Sequence, residues 1–457
     1  MPTRRSVIQA GLVAPVAAGH ATTDGARPTP SPALPDLQFL RSEPLVNADR
    51  LRFFMQRDGL DAIVAAQPQN VFYLSNHYPQ LDRMGRKGAG IAIFSADPHR
   101  PLTLVMPSFL YYYTHSPEWD DWSDRLVFPY TQPADPAKPP ADGSEPEAAP
   151  GRVLRVRDAA LITPRDHRRA DALTLARPAS ADASWALAKA LRELGLQKAR
   201  VGIDDLELSA TLGARGFAGT YAPAEDTLRW ARLAKSPTEL KLMRFAAQAN
   251  VDAALAAAGS VRETGTTRAL RARFHSEAAA RGNLGVFMVI NSSSTEVVDE
   301  PIRDGMAFAI DCVSHCRFYH GDFARTVFVG EPPESAKRAT RALQTAWGDI
   351  RSRLRAGMRF ADVSRIGRES LRKQGVDLNV SFTPHSVGLF HTDHPQASLL
   401  SPRRPEDLVL EENTVLSVDH PVMESGLGWT MHLEDLTLIR ADGSEPLHSV
   451  PPAVLMV

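Results

Sequence analysis

Two aspartates constrain this chain more than any other feature, because they fall on the two arms of one predicted hairpin. Residues 308–330 read as an apolar strand that ends at Asp311, a polar turn over residues 314–317, and a return strand over residues 319–329 that contains Asp322. Carboxylates that face each other across a hairpin repel, and burying them is costly unless a cation lies between them. The alternative is one solvent-facing Asp and one turn Asp, since Asp is common near turns.

Three further candidate ligands follow in chain order and favour the cation. His385 precedes a glycine by three positions, Asp419 ends an apolar strand, and Glu434 lies inside an apolar run. With the hairpin pair they give four carboxylates and one imidazole on or beside short apolar strands. Such a donor set suits a pair of hard or borderline divalent ions. No thiolate belongs to the set, which argues against a structural zinc site.

The ordered motifs resemble those of the M24 metallopeptidase family, which includes methionine aminopeptidase, aminopeptidase P, prolidase and creatinase. The motifs are Asp-x(10)-Asp followed by Arg-Thr, then His-x-x-Gly, then Leu-Glu-Asp. In layout the likeness extends over roughly residues 40–440. It implies an α+β fold in which a creatinase-like α/β N-terminal domain precedes a pita-bread metallopeptidase C-terminal domain.

The resemblance also implies a set of metal ligands, which transfer position by position to Asp311, Asp322, His385, Asp419 and Glu434. Two divalent ions (Mn, Zn, Co or Fe) would be the cofactors. Asp311 and Asp322 would bind one ion. The other would be bound by Asp322, His385 and Asp419. Glu434 would bridge the ions and steer the nucleophile, a hydroxide that the ions make available near neutral pH.

Two histidines are candidates for a catalytic role beside that of Glu434. The family usually has an active-site His seven positions after the metal His; this chain has Thr392 there, with His391 and His394 on either side. Either could donate a hydrogen bond to the carbonyl oxygen or the leaving nitrogen of the substrate, which suits a group that titrates near neutral pH. An ordinary surface-loop position is the alternative for each. We expect Arg325 to pair with a carboxylate and so to fix the site.

Several positions depart from the family pattern. Asp419 stands where the family has a Glu, so this carboxylate is one methylene shorter. His432 replaces the Arg that usually stands two residues before the last Glu, and we expect it to lie beside the ligands as a weaker partner, because it can lose its charge. Residues 291–296 lack the His that normally precedes the first Asp.

The resemblance and these departures leave three classes of function. The first is an exported dinuclear metallopeptidase, similar to Xaa-Pro aminopeptidase or prolidase, that hydrolyses a peptide bond next to proline. The second keeps the fold but acts on another small molecule, as creatinase-like hydrolases and dimethylsulfoniopropionate lyases do. The third is a metal-free binding protein, against which the retained oxygen and nitrogen donors argue. We expect an enzyme of the first class.

The remaining sequence indicates the domain organisation. Residues 1–21 resemble a twin-arginine signal peptide, which predicts a periplasmic or secreted protein; a disordered basic N-terminus is the alternative. Residues 22–40 read as a flexible lead-in. An N-terminal domain is predicted over residues 41–225, with a Pro-rich insertion loop at residues 133–150, and the catalytic domain over residues 226–457. The apolar run of the signal is shorter than the about 20 residues of a membrane span, so we expect no stable membrane insertion after signal removal.

Local signals place several elements. Ser236 and Glu239 form a capping box with Pro237 at the first helical position, which predicts the start of a long helix. Two blocks of helix, helix and strand then follow each other, which favours a pseudo-twofold α+β layout. His385 is predicted in the loop after the second block. In the N-terminal part, residues 90–94 and 102–106 are predicted to be neighbouring strands.

Charge and cysteine content narrow the partners. The chain has 52 basic and 53 acidic residues and a formal charge of −1, so it carries no electrostatic footprint for nucleic acid. Its only cysteines, Cys312 and Cys316, are too few for a disulfide scaffold. We expect buried free thiols; a strained local disulfide is the alternative. The resemblance implies a homodimer that takes a short peptide or small molecule as substrate.

Overall fold

A six-stranded mixed sheet forms the first layer of the computed structural model. Residues 34–457 are described, apart from residues 82–83, 86–87, 112–124, 151–160, 168–170, 172–176, 397–407, 424 and 427–428. The predicted signal peptide and residues 22–33 of the lead-in lie outside the described residues. The strands of this sheet are β1 (Ala62–Ala65), β2 (Ile91–Ser95), β3 (Thr103–Pro107), β4 (Leu126–Tyr130), β5 (Arg200–Ile203) and β6 (Thr220–Pro223).

The order of this sheet is β4-β3-β2-β1-β5-β6. Strand β2 runs antiparallel to β1 and to β3. Its pairing with β3 confirms the prediction that residues 90–94 and 102–106 form neighbouring strands. The pairs β3/β4, β1/β5 and β5/β6 are parallel. Strands β1, β2 and β3 are buried throughout, so this sheet is covered on both faces.

Helices of 7 to 11 residues accompany the first sheet, and they span Ala48–Asp58, Pro68–Ser75, Ala183–Glu193, Glu207–Gly213 and Glu225–Leu233. A short 3₁₀ helix, Gln38–Arg41, precedes them. Residues 133–150 contain no helix or strand. The predicted domain boundary falls at the start of the helix Glu225–Leu233, and the domain limits stay a prediction.

The helix Pro237–Gly259 begins with the predicted capping box. The Ser236 hydroxyl accepts a hydrogen bond from the Glu239 amide at 3.1 Å, and the Glu239 carboxylate accepts one from the Ser236 amide at 2.8 Å. This helix packs on the strand Tyr319–Phe328 at Gly321, where a Cβ would lie 2.5 Å from Asn250 Cβ and 2.6 Å from Ala246 O. Only glycine lets the helix approach the strand this closely, one residue before Asp322.

Two further sheets form the second half of the described chain. The first contains β7 (Leu284–Ile290), β8 (Ala307–Cys316), β9 (Tyr319–Phe328) and β12 (Glu434–Asp435) in the order β12-β9-β8-β7, and β15 (Leu455–Met456) pairs with β9. The second contains β10 (Thr383–Ser386), β11 (Val415–Asp419), β13 (Thr437–Ile439) and β14 (Ser444–Pro446) in the order β10-β11-β13-β14.

The helices of this half span Pro237–Gly259, Val261–Thr264, Thr267–Ala280, Glu334–Arg351 and Phe360–Lys373. The long ones come in pairs that precede β7 and β10. This order confirms the predicted succession of two blocks of helix, helix and strand, and with it the α+β fold class. Among the described helices, none combines the length and the hydropathy that crossing a bilayer demands.

The hairpin of β8 and β9 differs from its prediction. Strand β8 does not end at Asp311 but continues to Cys316, and the turn consists of Arg317 and Phe318 alone, with φ of 49° and 72°. Both turn residues are left-handed, as two-residue hairpin turns demand, although Asn and Gly usually occupy them. Phe318 compensates by packing its ring on that of Tyr78, with ring centroids 5.0 Å apart.

The two-residue turn fixes the register of the acids. Asp311 lies opposite Ala324, and Asp322 lies opposite Val313. The two acids are therefore diagonal neighbours on one face of the hairpin, because side chains two positions apart on a strand share a face. Cys312 is buried and free, as is Cys316, which confirms the expected thiols.

Two other predictions of secondary structure are wrong. His385 lies within β10 rather than in a loop, because Thr383–Ser386 pairs antiparallel with β11. The apolar run at residues 431–439 is not one strand: Glu434–Asp435 pairs with β9, whereas Thr437–Ile439 pairs with β11. The chain thus passes from one sheet to the other at Leu436.

A buried ion pair ties the segment after β10 to the helix Glu225–Leu233. Arg232 and Asp393 have fully buried side chains, and the Arg232 Nη2 lies 3.0 Å from Asp393 Oδ1. The second oxygen of Asp393 accepts a hydrogen bond from the Leu389 amide at 3.1 Å. Arg232 also donates to Asn70 of the first sheet's helices at 2.9 Å. The contact therefore fixes the conformation of the segment that carries His391.

We expect Asp393→Ala to lower the free energy of unfolding by about 3–5 kcal/mol, because it leaves the Arg232 guanidinium buried without its counter-charge. Guanidinium unfolding with a chelator present in every sample measures the change without a contribution from metal. Glu193→Ala, which removes the partly exposed pair with Arg177, is the control and should cost about 0–1 kcal/mol. Equal losses in the two variants would contradict the structural role of Asp393.

Candidate metal centre

Five strands bring the predicted ligands together at the junction of the two C-terminal sheets. The ligands come from β8, β9, β10, β11 and β12, and they are Asp311, Asp322, His385, Asp419 and Glu434. Pairing of Glu434 with Ala324 places it beside the hairpin acids, and pairing of His385 with Ser417 places it beside Asp419. The switch of sheets at Leu436 joins the two groups.

The His385 imidazole lies at the centre of the cluster. Its Nε2 is 3.5 Å from Asp322 Oδ2, 3.3 Å from Asp419 Oδ2 and 3.4 Å from Glu434 Oε1. Asp322 and Glu434 are buried almost completely, whereas 35% of the Asp419 side chain is exposed. The cluster is therefore accessible from the side of Asp419.

Several buried polar atoms of the cluster form no hydrogen bond with the described residues. They are Asp311 Oδ1, both carboxylate oxygens of Asp322 and both ring nitrogens of His385. Buried polar atoms in native proteins nearly always have a partner, so these atoms indicate a ligand. Carboxylate oxygens and an imidazole nitrogen within a few ångströms of one another suit divalent ions, and the residues therefore fit the metals that the sequence predicts.

The charges of the cluster lead to the same conclusion. Burial and the nearby charges of Asp322 and Asp419 raise the pKa of Asp311 and of Glu434 well above the ordinary value. Burial would also raise the pKa of Asp419, but the His385 imidazole 3.3 Å away outweighs it and lowers that pKa. One imidazolium cannot balance four carboxylates, and a pair of divalent ions would.

A second group of side chains orients Glu434. Ser417 Oγ donates to Glu434 Oε1 at 2.7 Å, and Arg325 donates to the Glu434 carbonyl oxygen at 2.9 Å. Arg325 also donates to Asp435 at 2.6 Å, which confirms that it pairs with a carboxylate. Trp347 Nε1 donates to the other oxygen of Asp435 at 3.0 Å. These bonds hold the short strand β12 in place.

The structure separates the two candidate catalytic histidines. His391 Nε2 lies 3.2 Å from Asp322 Oδ2, and 35% of the His391 side chain is exposed. His394 makes different contacts: it accepts a hydrogen bond from the Ser386 amide at 3.3 Å, and its ring packs on that of Phe360. Burial lowers the pKa of His394 to about 4, so it is neutral near pH 7.

One histidine near the centre was missed from the sequence. His320 stands two residues before Asp322 on β9, and its ring centroid lies 6.3 Å from that of His391. Burial lowers the pKa of His320 to about 3. The alternation of side chains along a strand could have found it, because residues 320 and 322 share a face. The Phe287 ring also packs edge-on against the His391 ring, with ring centroids 5.8 Å apart.

Comparison with known proteins identifies relatives of the chain that are similar in the region of the centre. The sequence model of Metallopeptidase family M24 matches residues 241–441. The chain is 27% identical over 244 residues to the probable dipeptidase PepE of Mycobacterium tuberculosis, a match of 51% of this chain that spans 63% of the relative's length. It is 23% identical over 236 residues to the Xaa-Pro dipeptidase of Pyrococcus horikoshii, covering 50% of this chain and 66% of that protein.

Solved structures share the fold over most of the chain. The prolidase from Pyrococcus horikoshii superposes with a TM-score of 0.63 at 19% identity, covering 89% of this chain and 99% of that one. Dipeptidase PepE from Mycobacterium ulcerans gives 0.60 at 18% identity, covering 90% and 98%. These likenesses confirm the predicted two-domain α+β pita-bread fold. The residues that match the sequence model of metallopeptidase family M24 include all five residues of the candidate centre, so the likeness to this family covers the whole of that centre.

Proposed function

We propose that this chain is a dinuclear metal-dependent peptidase that hydrolyses a peptide bond next to proline in a short peptide. The observation that carries the proposal is the convergence of the family's ligand positions around His385 Nε2, with buried carboxylate oxygens that have no partner among the described residues. The printed names of two relatives, a probable dipeptidase and an Xaa-Pro dipeptidase, support the substrate class.

The residues that would hold two ions of Mn, Zn, Co or Fe are those that converge at the sheet junction: Asp311, Asp322, His385, Asp419 and Glu434. When bound, such ions supply a nucleophile near neutral pH and polarise the scissile carbonyl. The chain's own residues position the reactants. Ser417 and Arg325 fix Glu434, which steers the nucleophile from a buried position.

His391 is the residue best placed to contact substrate. It borders the accessible side of the cluster together with Asp419, and it can donate a hydrogen bond to the carbonyl oxygen or the leaving nitrogen. Phe287 beside it offers an apolar surface for a proline ring. His394 faces Phe360, which leaves it a packing role.

Isosteric loss of one ligand tests the metal assignment. We expect Asp322→Asn and His385→Gln to reduce the metal content from about two ions per chain to less than one, as measured by mass spectrometry on protein purified without chelator. Metal-free Asp322→Asn should unfold at no lower temperature than the metal-free native chain, since the substitution relieves repulsion among buried carboxylates. Exposed Asp299→Asn is the control. Full metal retention in both ligand variants would refute the assignment.

We expect different kinetic outcomes from replacing His391 and from replacing His394. His391→Ala should lower kcat by about 10²–10⁴-fold with unchanged metal content, because a positioned hydrogen-bond donor contributes on that scale. His394→Ala should change kcat far less. Steady-state rates on one peptide, with metal content determined on the same samples, compare them. A larger kcat loss in His394→Ala would reverse the assignment.

A substrate panel tests the function itself. We expect the metal-loaded protein to cleave dipeptides and tripeptides that contain proline beside the scissile bond, and to cleave matched alanine peptides more slowly. The panel includes small non-peptide amides, because a relative named ectoine hydrolase is 23% identical over 34% of this chain, and because Asp419 and His432 depart from the family pattern. Turnover of an amide with no peptide cleavage would favour the second class of function over peptidase activity.

A further inference from the structure

His432 stands two residues before Glu434, just outside β12, and its imidazole approaches the same carboxylates. Its amide donates to Thr326 Oγ1 at 3.2 Å, and the same hydroxyl donates to the His432 carbonyl oxygen at 3.2 Å. These bonds hold the His432 backbone beside Thr326, which lies two residues along β9 from Ala324, the partner of Glu434. The His432 imidazole and the Glu434 carboxylate belong to one group of possible ligand atoms, and both residues are buried.

The Nε2 atom of His432 is buried and lacks a hydrogen bond within the described part of the chain. Only 5% of the residue is exposed. The atom lies 3.6 Å from Asp419 Oδ1 and 3.6 Å from Glu434 Oε2, too far for a hydrogen bond to either. Donor atoms that share one ion lie about 3.0–3.4 Å apart when the metal bonds are about 2.1 Å long, which is close to these separations.

Two carboxylates connect His432 to His385 in a symmetric way. Glu434 directs Oε1 toward His385 and Oε2 toward His432. Asp419 directs Oδ2 toward His385 and Oδ1 toward His432. A ligand atom of Asp311 lies within 4.8 Å of those of His432 and Glu434, and a second group consists of Asp322, His385 and the partly exposed His391.

We propose that His432 is a metal ligand, so that each of the two ions receives one imidazole. One ion would take Asp322 and His385, the other Asp311 and His432, and Glu434 and Asp419 would each contribute an oxygen to both. This inference adds a sixth ligand to the five assigned above, and it gives Asp419 rather than Asp322 to both ions. It rests on the metal centre of the proposed function but not on peptide hydrolysis.

Chemistry distinguishes a ligand here from a neighbour that merely pairs with the carboxylates. An imidazole nitrogen buried without a hydrogen bond, as His432 Nε2 is, is costly, whereas a metal ion would occupy its lone pair. The resulting donors, four carboxylates and two imidazoles, equal those of the di-iron and di-manganese centres of helical bundles, reached here from strands. An imidazole on each ion favours first-row transition metals over magnesium or calcium.

X-ray absorption on the zinc-loaded native protein counts the imidazoles directly. We expect an average of one imidazole for each zinc ion. An average of one imidazole for every two ions would overturn the proposal, because His385 alone would then be ligated.

Two variants supply the independent test, with folding verified by circular dichroism. His432→Gln and His432→Arg should each weaken the binding of one of two zinc ions by more than about 100-fold, beyond the roughly 10–100-fold expected for loss of an outer partner. Arginine can pair with Asp419 and Glu434 but cannot ligate, so two ions at native affinity in His432→Arg would overturn the proposal. His420→Gln is the matched control, a buried imidazole 6.2 Å from His432 whose loss should leave both affinities unchanged.

These readouts use no peptide, so they separate this proposal from the proposed function. Two ions and two imidazoles without turnover of any peptide would support the ligand and refute the peptidase. Hydrolysis of prolyl peptides with one imidazole for every two ions would support the peptidase and refute His432 as a ligand. A native protein that binds no zinc after incubation with excess metal would overturn both.

Discussion

Mutual repulsion among four carboxylates is the constraint on which the rest of this structure depends. Asp322 and Glu434 are buried nearly completely, and Asp311 and Asp419 share the same volume. No arrangement of neutral side chains can offset that much negative charge away from water. Ions bound at this cluster would therefore stabilise the ordered protein, and their binding would contribute to the free energy of folding.

The carboxylates are brought together by a segment whose residues are divided between two sheets. Glu434 and Asp435 belong to the ladder of β9, and three residues later the same chain belongs to the ladder of β11. Arg325 holds this junction by binding the backbone of Glu434 and the side chain of Asp435 at once. Arg325 thus binds β12 through the main chain and through an ion pair. The backbone position of Glu434 therefore does not depend on the flexibility of the Glu434 side chain.

Local sequence rules could predict only part of this arrangement. The acids of the hairpin follow from strand alternation, and the capping box at Ser236 follows from side-chain chemistry that acts within one turn. The tip residues Arg317 and Phe318 could not be predicted, because their positive φ angles are maintained by packing on Tyr78, which lies far away in the chain.

The candidate site shows the same division. The ligand positions were recognisable because a metal centre restricts residue type at each of them. Which of His391 and His394 would reach the carboxylates depends on the path of their segment, and that path is set by Asp393 and the distant Arg232. The division of residues 431–439 was likewise hidden, since an unbroken apolar run does not reveal which ladder each residue joins.

The order of the ligands along the chain has a consequence for biosynthesis. Asp311 and Asp322 are translated more than a hundred residues before Glu434, the last residue to reach the cluster. Until β12 has left the ribosome and joined β9, the hairpin presents an incomplete set of donors with low affinity for any ion. On the proposed function, metal would therefore be acquired late, after translation of nearly the whole chain, and from the ions present in the compartment where folding finishes.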